Sequence, residues 1–580
     1  MYIVGWGKDE INIEPKGYAM FGYGMWHHRA YKKRTALYAR TVTIQKDQDA
    51  PLILCCLDFG CITSAIRINV IQRLNETLRD RFDPHRLVLM ATHTHSGPGG
   101  CGYEALYNMP TPGFVPEHLD AVVDAVQSSI QQALSNRDFT EIRLATIDIP
   151  EQVPVAWNRS IKAYNRNLDT AFVDESETYK AINRQMQVLG FYRGEKLHSL
   201  LSLFGVHATC LGNQLDAHDG DNKGYAATLS EETLSAAGVD GPVCIFAQAT
   251  AGDVSPHFHG KNQTKIRKKI KGEAEYIYAR NNGRIQSEYA LAALLEKQNQ
   301  NIQYQDLDAV LEYVDMANTV ADPEFSGGYS NAITSQACHG TAFIAGTPVD
   351  GVGAAKPLIM AMNLLSKQFK RSKLNSKDPV ESAYYQKLYH AQGPKNIIFE
   401  SGQHRILGKK LGSLPGVLDP LIAEMNAQVH AGAIQESDLV PHIVPIQLIR
   451  IGQLFLVCVP GEFTTTSGKR VLNTIQKSVL PTFPNAKIWF ASYCNDYMGY
   501  VTTFEEYQEQ AYEGGHTLFG QWTLAAFQTY FKHLAKQICL PPEQRQLSNC
   551  VPKAVPQKEL EKRTNRGNVQ TAVAQKELAT

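Results

Sequence analysis

Apolar positions recur along this chain in two rhythms, short β-branched runs and longer stretches of helical period. Tyr38–Ile44 and Leu52–Leu57 read as strands, Ile62–Arg81 as an amphipathic helix and Leu87–Ala91 as the next strand. Glu117–Ala133 is again helical in pattern, and a strand follows near Glu141–Ile147. Met186–Tyr192, Leu200–Gly205 and Val243–Gln248 are further strands, with helices predicted at Gly224–Ala237 and Gln286–Glu296. The C-terminal half adds strands at Ile443–Ile451, Gln453–Val459 and Lys487–Ala491 and a helix around Gly468–Ser478. This strand-helix-strand alternation predicts an α/β fold.

Composition narrows the function classes. The 580 residues are enough for at least one large core, and 57 basic residues balance 57 acidic ones, so no global field draws the chain to nucleic acid. The one dense basic run, Gly260–Gly272, lacks interleaved aromatics; it reads as a solvated face, with contact to an anionic membrane surface as the alternative. Eleven cysteines without paired CxxC motifs, among them Cys244 and Cys458 in apolar settings, predict buried, reduced thiols and a cytoplasmic protein. The charged start and the lack of a long apolar run predict neither a signal peptide nor a spanning helix.

Candidate chemistry begins at His93-Thr94-His95-Ser96-Gly97-Pro98-Gly99-Gly100, just beyond the Leu87–Ala91 run. On a strand two imidazoles at this spacing face the same side, and a catalytic metal typically joins such a pair, or one of its members, to distant ligands. His207 follows the apolar run Leu200–Val206 and is either a satisfied core histidine or such a ligand. Glu462 follows Leu454–Val459, where an unpaired carboxylate costs several kcal/mol unless a cation or hydrogen-bond network receives it. Ser255 in Gly252-Asp253-Val254-Ser255-Pro256 is an ordinary turn serine, a nucleophile or a donor to an oxyanion. His257 and His259 beside it read as surface histidines. Arg159 supplies a fixed charged donor, and Tyr493–Tyr512 supplies phenols at Tyr493, Tyr497, Tyr500, Tyr507 and Tyr512.

Taken in order, HTHSGPGG (93–100), NRS (158–160), VHAT…DNKGY (206–225), GDVSP (252–256), GEFTTTSGKR (461–470) and GYVTTFEEYQEQAYEGGHTLFG (499–520) resemble the neutral ceramidase family of zinc-dependent hydrolases. The resemblance implies a catalytic domain of mixed β-sheets flanked by helices over residues 1–540, and the prolines, glutamines and two Gln-Lys-Glu-Leu repeats of 541–580 read as a polar tail. It implies Zn2+ held by His93, His207, Glu462 and Tyr500, with His95 and Arg159 beside the scissile amide and Tyr512 at the carbonyl oxygen. Ser255 matches the serine assigned as nucleophile. The implied reaction hydrolyses ceramide, or a related long-chain N-acyl lipid, to a fatty acid and an amine, with peripheral membrane contact compatible with such a substrate.

Two routes fit these residues, attack by Ser255 and attack by zinc-activated water. The second is favoured, with His95 moving the proton and Tyr512 stabilising the oxyanion. The alternatives are an amidase or esterase for a smaller substrate, and a non-catalytic protein that retains the fold. NRSI stands where the family has NRSP, and GDVSPH where it has GDVSPN. Segment 398–438, with Gly408–Gly412 and the helix-like Leu421–Val429, has no recognised counterpart and is expected to reshape the mouth of the pocket.

Overall fold

The computed structural model describes residues 1–564 except 110–112, 258–262, 296–298, 348, 352, 414–419 and 436. Its largest sheet runs, edge to edge, through Val243–Ala247, Lys196–Leu203, Gln185–Arg193, Asp138–Asp148, Tyr2–Glu10, Tyr38–Gln45, Leu52–Leu57 and Leu87–Ala91. The central pairings are antiparallel, whereas the outermost pairing at each edge is parallel.

Leu52–Leu57 is apolar throughout because both of its faces are covered. Ile53, Cys55 and Leu57 meet the helices Ser64–Leu78 and Pro116–Ser135 through Ile66, Val70, Val122 and Val126. Leu54, Cys56, Val88 and Met90 face a second sheet, meeting Ile449, Leu456 and Trp489. That sheet has the order Leu307–Asp315, Ile443–Ile451, Leu454–Cys458, Lys487–Ala491. Its other face, with Leu448, Phe455 and Val457, packs on the helices Thr465–Val479 and Thr523–Ile538. The layers are therefore helix, sheet, sheet, helix, the mixed α/β architecture expected.

Leu87–Ala91, Ile443–Ile451 and Lys487–Ala491 form at their predicted limits. The helix predicted over Ile62–Arg81 is Ser64–Leu78, ending where Arg79 takes φ 51°. Glu273–Leu295 starts earlier than the predicted helix, and the predicted terminus Glu296 lies outside the described residues. Tyr2–Glu10, Leu307–Asp315 and Thr523–Ile538 were not anticipated. Gly5 and Gly7 interrupt the apolar pattern of Tyr2–Glu10 because the helix Pro116–Ser135 lies directly on the strand. A Cβ at these positions would come within 1.9 Å of Ala133 O and 2.2 Å of Ser129 O.

Between the second sheet's first two strands the chain builds a smaller unit. It comprises a sheet of His339–Gly340, Ile397–Glu400, Arg405–Ile406 and Lys409–Lys410 with helices Thr341–Ala345, Lys356–Leu374, Pro379–Gln392 and Pro420–His430. Residues 541–564 run along the protein, where the buried Arg563 donates to Ala433 O. The remainder of the predicted tail, 565–580, lies outside the described residues. Among the described residues no helix is long and apolar enough to cross a membrane.

Leu456, fully enclosed between the two sheets, should be costly to truncate. Leu456→Ala is expected to lower stability by about 2–5 kcal/mol, read as a fall in the denaturant midpoint; an unchanged midpoint would contradict the two-sheet core.

Candidate metal centre and hydrolytic site

The chain passes the site at the C-terminal ends of four strands: Leu87–Ala91 leads to His93, Lys196–Leu203 to His207, Val243–Ala247 to Ser255 and Leu454–Cys458 to Glu462. Gln248, fully buried, ties these segments. Its Nε2 donates to Thr92 O at 2.9 Å and Val206 O at 2.7 Å, its Oε1 accepts from Val206 N, and its carbonyl accepts from Ser492 N. Gly252 lets the serine segment reach the glutamate segment. Its N–H donates to Phe463 O at 2.9 Å, and a Cβ there would lie 2.8 Å from Glu462 O.

His93, His207 and Glu462 converge. One ligand atom from each lies within 4.8 Å of the others, and all three residues are buried. His93 takes φ 65°, the left-handed region that a non-glycine residue enters at a cost of about 1–3 kcal/mol, and its N–H donates to Phe59 O. Its Nδ1 sits 2.6 Å from Gly60 O, while His207 Nδ1 sits 2.7 Å from Ala251 O. A carbonyl only accepts, so each Nδ1 carries the proton and each Nε2 presents a lone pair. Those lone pairs face Glu462, at 3.4 Å from His93 and 2.9 Å from His207. Two acceptor nitrogens closing on a carboxylate in a buried space form a donor set that fits a cation, and His2Glu is a zinc set. The cluster is positioned to chelate a metal ion.

Glu462 is also held from the opposite side. Tyr493 Oη donates to its Oε2 at 3.0 Å, and Tyr497 Oη makes a short hydrogen bond to its Oε1. Burial pushes His93 down to about 4. Tyr493 stacks on the His93 ring at 4.3 Å. The sequence flagged these two phenols only as members of a tyrosine-rich stretch.

The other anticipated residues surround this cluster. Tyr500 Oη lies 3.2 Å from His207 Nε2 and accepts from Arg159 Nη2 at 3.0 Å. The Arg159 side chain is buried and fully engaged, donating to Glu513 at 2.8 Å, Asp350 at 3.0 Å and Gly252 O at 2.9 Å. Tyr512 meets Tyr500 edge to face at 5.4 Å, and burial raises its phenol above the ordinary value. His95 Nε2 is 3.1 Å from His93 Nε2, and burial keeps its ring well below the ordinary histidine value, hence neutral. Its Nδ1 has no hydrogen-bond partner among the described residues. Gly22, at φ 116°, lies so close to this ring that a Cβ would fall 2.4 Å from His95 Cγ.

Two expectations need correction. Ser255 is not an ordinary turn serine but lies in the buried two-residue strand Val254–Ser255, paired with Trp157–Asn158. His257 is not a surface residue: it is buried, stacks on Tyr278 at 5.3 Å and places Nε2 2.9 Å from Thr209 O. His259 lies outside the described residues. The partner of Ser255 is Asp350, whose Oδ1 accepts from Ser255 Oγ at 2.8 Å. No local motif marks Asp350, which reaches the site only through the fold of the smaller unit.

A family model described as neutral/alkaline non-lysosomal ceramidase, N-terminal, matches residues 2–409 and 423–529. The chain belongs to this family. The family match narrows the segment without a counterpart from 398–438 to 410–422. The neutral ceramidase of Mycobacterium tuberculosis is 29% identical over 549 residues, 92% of this chain and 77% of that protein. That of Pseudomonas aeruginosa is 29% identical over 542 residues, 92% of this chain and 72% of that protein. A crystal structure of the Pseudomonas aeruginosa neutral ceramidase matches at 28% identity with TM-score 0.75, covering 95% of this chain and 76% of that one. A structure described as a ceramidase complexed with C2 matches at 27% identity with TM-score 0.76, covering 96% and 77% of the two chains.

If the two phenols orient Glu462 for a metal, removing both hydroxyls should weaken the centre while leaving the fold. Tyr493→Phe with Tyr497→Phe is expected to lower zinc affinity about 10–100-fold in chelator competition, at unchanged circular dichroism; equal affinity would reduce the phenols to packing.

Proposed function

We propose that this chain is a zinc-dependent amidohydrolase that cleaves the amide of ceramide or a related long-chain N-acyl lipid, releasing a fatty acid and an amine such as sphingosine. The observation that carries this reading is the convergence of His93, His207 and Glu462, with both histidine Nε2 lone pairs turned to the carboxylate. These three residues and Tyr500 would hold the ion. Bound there, zinc supplies Lewis acidity, which activates water and polarises an amide carbonyl.

The chain's own residues divide the remaining work. His95, neutral and with its Nε2 3.1 Å from His93 Nε2, accepts a proton from the attacking water. It returns that proton to the amide nitrogen as the C–N bond breaks, because an amine leaves poorly as an anion. Tyr512, kept protonated by burial, donates to the oxyanion of the tetrahedral species. Arg159 is a positioning residue: its guanidinium, fixed by Glu513 and Asp350, holds the Tyr500 hydroxyl in place.

Ser255 is poorly placed to be a nucleophile. Among the described residues its only side-chain acceptor is Asp350. That carboxylate is already engaged, its Oδ2 accepting from Arg159 Nη1 at 3.0 Å and its Oδ1 from Thr209 Oγ1 at 3.2 Å. His257, two residues away, turns its Nε2 to Thr209 O instead. The hydroxyl therefore helps to anchor Asp350, and water is the attacking group. The eleven free cysteines, nine of them buried, support a reducing, cytoplasmic setting.

The test is release of free fatty acid from ceramides of several chain lengths, with and without chelation. Chelator-sensitive release is expected, and zinc-loaded protein that turns over no N-acyl lipid would overturn the reading. Within it, His95→Ala should lose about 10²–10⁴-fold in rate, while Ser255→Ala should keep measurable turnover. An isolated acyl-Ser255 species would return the reaction to the serine route.

A further inference from the structure

Helix Lys356–Leu374 has one fully buried residue, Ser366, in its 19 residues. Its inner stripe is nonetheless well anchored. Ser366 Oγ donates to Ile397 O at 2.8 Å, Asn363 Oδ1 accepts from Asn396 Nδ2 at 2.9 Å, and Phe369 meets Tyr385 edge-on at 5.5 Å. Met362 packs into the cluster of Ile398, Phe399 and Met425. With that stripe fixed inward, the opposite one points away from the protein. Met360 and Leu364 lie on it and Leu365 and Leu358 at its edge, each of the four between 51% and 68% exposed.

Four large apolar side chains on one exposed helix face need a partner. Charge identifies which kind. The helix holds five basic residues and no acidic one. Lys370 donates to Gly393 O and Lys373 pairs with Glu381, whereas Lys356, Lys367 and Arg371 form no ion pair among the described residues. At 100° per residue Lys356 and Lys367 lie beside Met360, and Arg371 falls between Met360 and Leu364. An apolar face flanked by unpaired cations is the pattern of a helix that lies in the interface of an anionic bilayer. A second copy of the chain fits less well, because a two-fold contact across this face would bring the same cations together.

The helix is also tied to the site. Ala354 N donates to Ile344 O at 2.9 Å and Gly353 N to Ala345 O at 3.1 Å, fastening its start to the helix Thr341–Ala345. Phe343 of that helix stacks on Tyr512 at 5.8 Å, and the connecting segment carries Asp350.

We propose that the outer face of Lys356–Leu374 is a membrane-docking surface that seats the protein on an anionic bilayer beside its hydrolytic site. The docking stands on the helix face; its use in collecting substrate rests on the lipid-amidase reading above.

The test is cosedimentation of the whole chain with vesicles of phosphatidylcholine containing phosphatidylglycerol, and with vesicles of phosphatidylcholine alone. Binding to the anionic vesicles is expected, weakened by salt. The triple variant Leu358→Ser, Leu364→Ser, Leu365→Ser should bind about tenfold or more weakly, and Lys356→Glu, Lys367→Glu, Arg371→Glu should lose the preference for phosphatidylglycerol. Both variants should hydrolyse a soluble short-chain N-acyl substrate as the parent does. Vesicle binding unchanged in both variants, no binding by the parent, or a parent dimer that the leucine variant dissolves would each overturn the proposal. Vesicle binding that the variants lose, in a protein that cleaves no N-acyl lipid, would uphold the docking and sink the function proposed above.

Discussion

The structure depends on a carboxylate that is buried without a permanent cation of its own. Glu462 sits 1% exposed between two imidazoles whose Nδ1 atoms are both committed to backbone carbonyls. Transfer of a carboxylate into such a space costs several kcal/mol unless charge and hydrogen bonds compensate it. Two phenols donate from one side, and on the other the imidazole lone pairs leave room for a positive ion. The arrangement is intelligible as a metal centre and costly as anything else.

That constraint explains features around it. The two sheets must meet so that the strand ends bearing His93 and His207 face the strand end bearing Glu462, and the packing of Leu54 and Met90 on Leu456 and Trp489 sets that approach. Gln248 and the Cβ-free Gly252 then close the gap between segments. Around the cluster, Arg159 gathers Glu513, Asp350 and Tyr500, so charges that would be unfavourable singly are satisfied together.

Much of the fold was legible in the sequence wherever a strand had both faces covered, as in Leu52–Leu57 and Leu87–Ala91, because unbroken apolar runs report burial directly. Tyr2–Glu10 hid because close helix contact demands glycine where the pattern expects bulk. Lys356–Leu374 hid because apolar residues lie on its exposed side as well as its inner one, blurring the amphipathic signal. At the site, motifs brought forward the histidines, Glu462 and Tyr500. Asp350 and Gln248 carry no local signature, since their importance arises only from which segments the tertiary structure brings to them. His257 misled because its glycine-rich, basic surroundings in sequence are not its surroundings in space.

The central claim is that one zinc ion completes the Glu462 cluster. Crystals of the zinc-loaded protein, measured on both sides of the zinc absorption edge, test it directly. The account predicts one anomalous peak at about 2.0–2.2 Å from His93 Nε2, His207 Nε2 and a Glu462 carboxylate oxygen, with the Tyr500 hydroxyl turned to it. A peak elsewhere, or a cluster that stays without metal at saturating zinc, would contradict it.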